Sequence, residues 1–336
     1  MTRADRESPG LAFIFPGQGG QHQRMGAGLY QHEAVFTASM NAFFEAPGPA
    51  TDGRLPDGER LRADWLSNEP VPLFDDASRA QPLLFAVGHA LAQTVRARGV
   101  TPDALLGHSV GELTAAAVGG VFDPLDARRL MHARAAAMSR TRPGGMVVVA
   151  ATVEQLQPYL TPTVVIGAIN TSRQVALSGP AAELSATTAA LLAAGYACQP
   201  ARALQAFHSP ACDQAAKEFA IELEKIRLAA SKISIQSTAT GSPITPEQAV
   251  DPHFWADQLT QPVLFRAAFD ALLEQGDFTF LEAGPGGSCS GMTRRHPAVR
   301  ARRTVVLPLL PTFGSDPTES LRILDAAIVA AVVRRD

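Results

Sequence analysis

The most constraining feature of the sequence is a short apolar segment that runs into a glycine-flanked turn. Residues 103–107 predict a buried strand, Gly107-His108-Ser109-Val110-Gly111 predicts a sharp turn, and the small residues up to 120 predict a helix. A strand, tight turn and helix in this order are typical of an α/β fold with a mainly parallel sheet. The 336 residues exceed the length at which one core usually stops growing, so we expect one large domain with a smaller appendage, or two domains.

Composition excludes several classes of protein. Hydrophobic residues make up 46% and charged residues 18% of the chain, and the formal net charge is −3. These values exclude a disordered chain and give no reason to expect nucleic-acid binding. The three cysteines, Cys198, Cys212 and Cys289, are too far apart for a zinc ribbon or a secreted disulfide scaffold, so we expect a cytoplasmic protein.

Neither end of the chain predicts a membrane or export segment. The N-terminus, MTRADRESPG, is polar and lacks an apolar stretch. The apolar run AAIVAAVV at 326–333 is far shorter than the ~20 residues that span a bilayer. We therefore expect no signal peptide and no contact with a membrane.

A second pattern begins near residue 144. Up to 204, period and composition predict strand, helix, strand, strand, helix, strand, which is the ferredoxin-like order. We predict an inserted ferredoxin-like subdomain at 144–204, an α/β hydrolase-like core from 1–143 and 205–336, and an active site in the cleft between them. Further core elements predicted from the pattern are strands at 11–15, 233–241 and 278–283 and helices at 81–98, 126–140, 213–228, 263–275 and 317–334.

The glycine-flanked turn carries a candidate nucleophile. In G-x-S-x-G turns between a strand and a helix, the serine hydroxyl is lifted out of the sheet, and the helix N-terminus faces the oxyanion that forms when it attacks a carbonyl. Ser109 fits this role and also fits a plain helix N-cap. Serine needs a base, and His208 lies in a loop beside a proline, but spacing does not select it over His89 or His132. His108 points the opposite way and is expected to be structural.

Eight sequence blocks resemble, in the same order, the malonyl-CoA:acyl carrier protein transacylase family. The resemblance covers residues 11–310 and is closer to acyltransferase domains of polyketide synthases than to the fatty-acid enzyme. Since only ten residues precede the start of the resemblance at residue 11, we expect a discrete acyltransferase that acts in trans. The blocks are FPGQGGQ at 15–21, QPLLFA at 81–86, GHSVGELTAAAVGG at 107–120, ARAAAM at 133–138, NTSRQVALSG at 170–179, AFHSP at 206–210, QLTQPVLF at 258–265 and EAGPGG at 282–287.

The resemblance implies roles for the reacting groups. Ser109 would form the acyl ester, and His208 would act as general base and then as acid. The family has a Ser-His dyad, and the imidazole is oriented by a carbonyl in the segment that corresponds to Gln258. The oxyanion hole would consist of the main-chain amides of Gln18 and Val110.

The resemblance also implies a substrate class. Arg134 falls on the family position whose guanidinium binds the free carboxylate of malonyl-type substrates, and Gln81 and Met138 fall on neighbouring substrate-binding positions. Phe207 resembles the malonyl-selective version of the family, because a bulky side chain leaves no room for an α-methyl group. Gln205 departs from it, since malonyl-selective domains usually have histidine there. One methyl group discriminates by only ~1–3 kcal/mol.

The implied activity is transfer of a malonyl or malonyl-like group from coenzyme A to an acyl carrier protein. No metal or redox cofactor is expected, because HExxH, GxGxxG and clustered His/Cys sets are lacking. Carriers are acidic, so Arg294, Arg295 and Arg300 are candidates for a docking patch, although a solvated loop would have the same composition. The alternatives are an acyl-carrier-protein hydrolase of the same fold, or a catalytically silent carrier-docking module.

Overall fold

The computed structural model describes residues 8–48 and 55–335, so residues 1–7 of the polar N-terminus lie outside it. Most described residues belong to regular elements, and the elements that the sequence pattern predicts occur in the predicted order. The strands are Gly10–Phe15 (β1), Ala104–Gly107 (β2), Gly144–Val149 (β3), Val165–Thr171 (β4), Gln174–Pro180 (β5), Cys198–Pro200 (β6), Ser234–Gln236 (β7), Phe278–Glu282 (β8) and Val305–Pro308 (β9). The helices are Ala34–Glu45 (α1), Gly58–Leu66 (α2), Ala77–Ala97 (α3), Gly111–Gly119 (α4), Ala127–Ser139 (α5), Val153–Leu156 (α6), Ala181–Ala193 (α7), Asp213–Leu223 (α8), Pro246–Ala249 (α9), Pro252–Asp257 (α10), Phe265–Leu273 (α11), Ser288–Thr293 (α12), Pro297–Arg300 (α13) and Pro317–Val333 (α14).

A five-stranded parallel sheet in the order β7-β2-β1-β8-β9 forms the centre of the core. The central strand, β1, has the sequence GLAFIF, and all six residues are buried, as expected for a parallel strand covered on both faces. Phe15 pairs with Gly107, so β1 and β2 end side by side. The loop after β1 and the turn after β2 therefore meet at the carboxyl edge of the sheet, where open α/β sheets place their sites.

A smaller antiparallel sheet in the order β4-β5-β3-β6 is built from the inserted segment. Together with α6 and α7 it gives the predicted ferredoxin-like succession of strands and helices. The predicted fold class, a mainly parallel hydrolase-like core with this small sheet, is confirmed. The boundaries at 144 and 204 stay a prediction.

One residue of the core pairs with β4, the edge strand of the small sheet. Val263, which precedes α11, forms a parallel bridge with Ala168 of β4. The amide of Ile169 donates to the carbonyl of Val263 at 2.8 Å, and the amide of Val263 donates to the carbonyl of Gly167 at 2.9 Å. The segment before α11 thus connects the core to the small sheet.

Several predicted boundaries are wrong. Helix α8 ends at Leu223 and not at 228, and the strand predicted over 233–241 is only Ser234–Gln236. The chain turns back after β7, because the amide of Gly241 bonds the carbonyl of Ser237. Helix α11 begins at Phe265 and not at 263, since Val263 is hydrogen-bonded to the small sheet. Helices α1 and α2 and strand β9 were not predicted, and no described helix is long and apolar enough to cross a membrane.

Candidate active site

Ser109 lies in a strained turn between β2 and α4. Its φ of 53° is in the left-handed region that non-glycine residues rarely adopt. The flanking glycines are required, because a Cβ on Gly107 would lie 2.2 Å from the amide nitrogen of Glu112, and one on Gly111 would lie 2.3 Å from the carbonyl oxygen of Phe15. This geometry is that of a nucleophile elbow.

The structure brings His208 to Ser109. The Nε2 atom lies 2.7 Å from the Ser109 hydroxyl, and Nδ1 lies 2.9 Å from the carbonyl oxygen of Gln261. A carbonyl only accepts, so Nδ1 carries the proton and Nε2 is left to accept the serine proton. His208 also has a positive φ of 61°, and its amide donates to the carbonyl of Leu259 at 2.7 Å. Geometry therefore selects His208 where spacing left His89 open.

The imidazole of His208 is kept neutral. Burial and, after it, the positive charge of Arg134 lower the pKa of His208 to about 3, against the bond to the Gln261 carbonyl. A neutral ring retains the lone pair that a general base needs. At neutral pH His208 is therefore unprotonated, and its Nε2 can accept the proton of Ser109.

The orienting carbonyl predicted in the segment at Gln258 is mainly that of Gln261. The main-chain oxygen 2.9 Å from the imidazole is that of Gln261, three residues later, and the Gln258 carbonyl is a lesser contributor to the pKa of His208. The Gln258 side chain turns away and donates to Glu112 at 3.1 Å. Burial raises the pKa of Glu112, opposed by hydrogen bonds that include those from Thr238 and Gln258.

The two main-chain amides predicted for the oxyanion hole belong to segments that meet at Ser109. A Cβ built on Gly17 would lie 2.7 Å from the carbonyl oxygen of His108 and 3.3 Å from the Ser109 Cβ, so the loop after β1 packs on the elbow. Within residues 8–48 and 55–335, the amides of Gln18 and Val110 have no hydrogen-bond acceptor. Two free donors, one in the loop after β1 and one at the start of α4, are what a developing oxyanion needs.

Arg134 is a buried cation without a carboxylate partner among the described residues. Its side chain is 2% exposed, its Nε donates to Gln81 Oε1 at 2.7 Å, and its guanidinium carbon lies 5.8 Å from the centre of the Phe219 ring. Burial lowers the pKa of Arg134 to about 10, so it stays charged at neutral pH. Buried charges are usually paired, and this one is not.

Gln81 connects this arginine to the loop after β1. Its amide nitrogen donates to Gln18 Oε1 at 3.1 Å. The side-chain Nε2 of Gln18 in turn donates to the carbonyls of Asp75 at 2.6 Å and Arg202 at 3.0 Å. A continuous series of hydrogen bonds therefore connects Arg134, through Gln81, to Gln18 in the loop after β1.

The remaining predicted substrate residues are buried. Met138, one turn after Arg134, and Phe207, next to His208, both belong to the main hydrophobic cluster. Gln205 donates to Asp76 Oδ2 at 3.0 Å, while its Oε1 is buried without a partner in the described chain.

The predicted docking arginines are only partly together. Arg294 and Arg295 are exposed and line a cavity of about 930 Å³ between the end of α12 and the β4–β5 turn. Arg300 lies at the end of α13 and does not line it. No salt bridge engages these three side chains in the part of the chain that the structure describes, so their charges are available.

This cavity is close to the reacting pair but not at it. Neither Ser109 nor His208 lines it. Two of its lining residues contact His108: Asn170 Oδ1 is 2.8 Å from His108 Nε2, and the Phe265 ring centre is 5.4 Å from that of His108. The cavity thus reaches the immediate sequence neighbour of Ser109 through these two contacts.

Sequence reasoning missed three residues of this site: Glu112, Asn170 and Gln261. Glu112 had a signal, since it is the one charged residue in the apolar helix GELTAAAVG, and such a residue needs a buried partner. Across the described chain, no group of three or more His, Cys, Asp or Glu side chains is arranged to hold a metal ion.

The sequence is similar to those of known proteins over most of its length. The sequence profile of the family described as "Acyl transferase domain" matches residues 12–311. One component of the phenolphthiocerol/phthiocerol polyketide synthase of Mycobacterium tuberculosis (strain CDC 1551 / Oshkosh) is 35% identical over 311 residues, which cover 92% of this chain. The chain spans about a fifth of the length of that relative, since the match covers 20% of it.

Two solved structures are similar throughout. The acyl transferase domain of SpnD, in complex with 2-(pent-4-yn-1-yl)malonyl, has a TM-score of 0.84 and 28% identity, covering 97% of this chain and 78% of that one. The malonyl CoA-acyl carrier protein transacylase of Coxiella burnetii has a TM-score of 0.82 and 22% identity, covering 97% and 98% of the two chains. At that identity the second likeness shows the fold alone.

Proposed function

The chain belongs to the acyl transferase domain family and is an acyltransferase, and from this premise we propose that it transfers malonyl groups from coenzyme A to an acyl carrier protein. The observation that carries the proposal is Arg134, a buried guanidinium without a carboxylate partner in the described structure, near enough to lower the pKa of His208. A substrate carboxylate would supply the missing partner, and the planar guanidinium suits it.

In the first half-reaction, malonyl-CoA binds with its free carboxylate on Arg134. The Ser109 hydroxyl attacks the thioester carbonyl while His208 Nε2 takes the hydroxyl proton. The amides of Gln18 and Val110 bind the oxyanion, and each such donor contributes on the order of 3 kcal/mol. The C–S bond then breaks, His208 returns the proton to the thiolate of coenzyme A, and the malonyl ester of Ser109 remains.

The second half-reaction reverses these roles. The carrier's phosphopantetheine thiol loses its proton to His208 and attacks the ester carbonyl. The C–O bond breaks, His208 protonates the Ser109 oxygen, and a malonyl thioester leaves on the carrier. In the proposed trans mode, the carrier belongs to another polypeptide. No metal or redox group takes part in either step as written.

The relatives support this substrate class. One is a component of a polyketide synthase, and one solved relative holds a substituted malonyl group. Phe207, buried beside His208, is consistent with malonyl itself rather than a larger unit.

The test is intact-protein mass spectrometry after incubation with separate acyl-CoAs, followed by addition of a phosphopantetheinylated carrier as a second polypeptide. We expect one malonyl group on the protein, little acetyl adduct, and transfer to the carrier faster than loss to water. Dominant hydrolysis of the ester with the carrier present would favour the carrier hydrolase. An acetyl adduct that forms as readily as the malonyl adduct would contradict the role of Arg134.

A further proposal concerns the exposed arginines at the cavity. Reversing Arg294 and Arg295 to glutamate should lower kcat/KM for the carrier about tenfold or more at low salt, because steering of an acidic partner is lost. Arg300→Glu should cost less, since Arg300 does not line the cavity. The measurement is carrier loading as a function of ionic strength.

Arg227→Glu with Arg322→Glu is the matched control, because both side chains are exposed and lie outside the cavity. Self-acylation by malonyl-CoA should stay unchanged in the Arg294/Arg295 variant. Equal carrier loading by the test and control variants would rule out the docking patch.

A further inference from the structure

The base of this site lacks a carboxylate on its Nδ1, where a carbonyl accepts instead. A buried carboxylate nevertheless lies one step away, on the helix that begins at the nucleophile. We propose that Glu112 is a positioning residue, which holds both ends of the segment 258–264 and thereby sets His208 against Ser109. The inference rests on the proposed roles of Ser109 and His208, but not on the identity of the acyl group.

Glu112 is fixed on the nucleophile side. It is 1% exposed, lies in the first turn of α4 and follows Ser109 by three residues. Both carboxylate oxygens are used: Oε2 accepts from the Thr238 amide at 2.9 Å and its hydroxyl at 2.7 Å, and Oε1 accepts from Gln258 Nε2 at 3.1 Å. The groups that counteract the burial-induced rise in its pKa are hydroxyls and amides, of Ser237, Thr238 and Gln258.

The same carboxylate anchors the segment at its two ends. At the start, Gln258 is bonded directly to Glu112. At the end, the amide of Leu264 donates to the carbonyl of Thr238 at 2.6 Å, and Thr238 is itself bonded to Glu112. A single buried group thus ties residues 258 and 264 to the helix that follows Ser109.

Between these anchors lie the groups that hold His208. Its amide donates to the carbonyl of Leu259 and its Nδ1 to the carbonyl of Gln261. Both carbonyls lie after Asp257, the last residue of α10, so they are not used in that helix and can accept from His208. Because a misplacement of about 1 Å at a reacting pair can cost ~100-fold in rate, fixing this segment fixes the reactivity of Ser109.

The experiment measures Ser109 labelling by an uncharged fluorophosphonate, together with malonyl-CoA acylation. The probe needs the serine and its base but not Arg134, so it reports even if malonyl-CoA is not the substrate. Gln258→Met removes the donor while keeping side-chain length, and Gln248→Met on α9 is the matched control because Gln248 only caps its own helix. We expect Gln258→Met to lower the maximal labelling rate about 10- to 100-fold, with KM for malonyl-CoA within about twofold and the control unchanged.

Two further variants separate positioning from a merely structural role. In Gln258→Glu, two carboxyl groups face each other and share one proton at low pH, so labelling should fall as pH rises, unlike in the parent protein. In the double variant Glu112→Gln with Gln258→Glu, the amide and carboxylate exchange places, and the rate should recover to within about fivefold of the parent.

Labelling by folded Gln258→Met at the parent rate would overturn the inference. So would failure of the exchanged pair to recover any of the rate lost in Gln258→Glu. If Gln258→Met does not fold, the pH profile of Gln258→Glu decides, and a profile identical to the parent's would count against Glu112. Normal fluorophosphonate labelling without malonyl-CoA acylation would instead refute the proposed function alone.

Discussion

Ser109→Ala is expected to abolish acyl-enzyme formation, lowering the acylation rate at least about 10⁴-fold. The hydroxyl is the atom that His208 contacts at 2.7 Å, and alanine leaves the base without a nucleophile to activate. The measurement is incorporation of label from radiolabelled malonyl-CoA, with intact mass as a second readout. The folded state should survive, because the strain at φ 53° belongs to the backbone and alanine adopts it at a similar cost.

Ser172→Ala is the control for this variant, since Ser172 is an exposed serine of the β4–β5 turn. It should acylate at the parent rate. Undiminished label on Ser109→Ala would place the ester on another residue and refute the nucleophile assignment.

Arg134→Met is expected to reverse the preference between charged and uncharged acyl groups. Acylation by malonyl-CoA should fall on the order of 10²- to 10³-fold, because a charge-assisted, bidentate contact to the carboxylate is lost. Acetyl-CoA should react as well as or better than before. Melting temperature should stay equal or rise, since the substitution removes a buried cation that has no acidic partner in the described chain.

The same variant changes the pH profile. Arg134 lowers the pKa of His208, so its removal should raise that pKa while burial still keeps it low. Labelling of Ser109 by an uncharged phosphonate requires neutral His208, so the labelling rate should fall at low pH as His208 becomes protonated. In the parent protein the pKa of His208 is about 3, and in Arg134→Met this fall should occur at a higher pH. Retained malonyl preference with an unchanged pH profile would show that Arg134 does not face the site.

The elbow could be predicted because its chemistry is local. Gly107 and Gly111 flank Ser109 within five residues, and a strand, tight turn and helix leave their pattern in a short window. The small sheet was predictable for the same reason, since its strands and helices alternate regularly between 144 and 204. Strand β9 was not, because its four residues, Val305–Pro308, follow a polar loop and, among the described strands, pair with the distant β8 alone.

The electrostatics of the site could not be predicted from pattern. That Arg134 lacks an acidic partner depends on every described side chain around it, which spacing does not specify. The orienting carbonyl illustrates the same limit, because main-chain oxygens of Gln258 and Gln261 look alike in sequence and only the path of the chain after α10 brings the second to Nδ1. Glu112 was visible as an isolated charge, but its partners at 238 and 258 are more than a hundred residues away.

The bridge between β4 and Val263 matters for chimeras in which the small sheet of one relative replaces that of another to change substrate preference. A graft limited to residues 144–204 would replace Ala168, one partner of that bridge, and keep Val263, the other. The hydrogen bonds of Gly167 and Ile169 to Val263 would then depend on a foreign partner segment. The other partner of the bridge, Val263, belongs to the segment 258–264, which also holds His208. The residues that should be exchanged together are therefore not continuous in sequence. A chimera should replace residues 258–264 together with the small sheet.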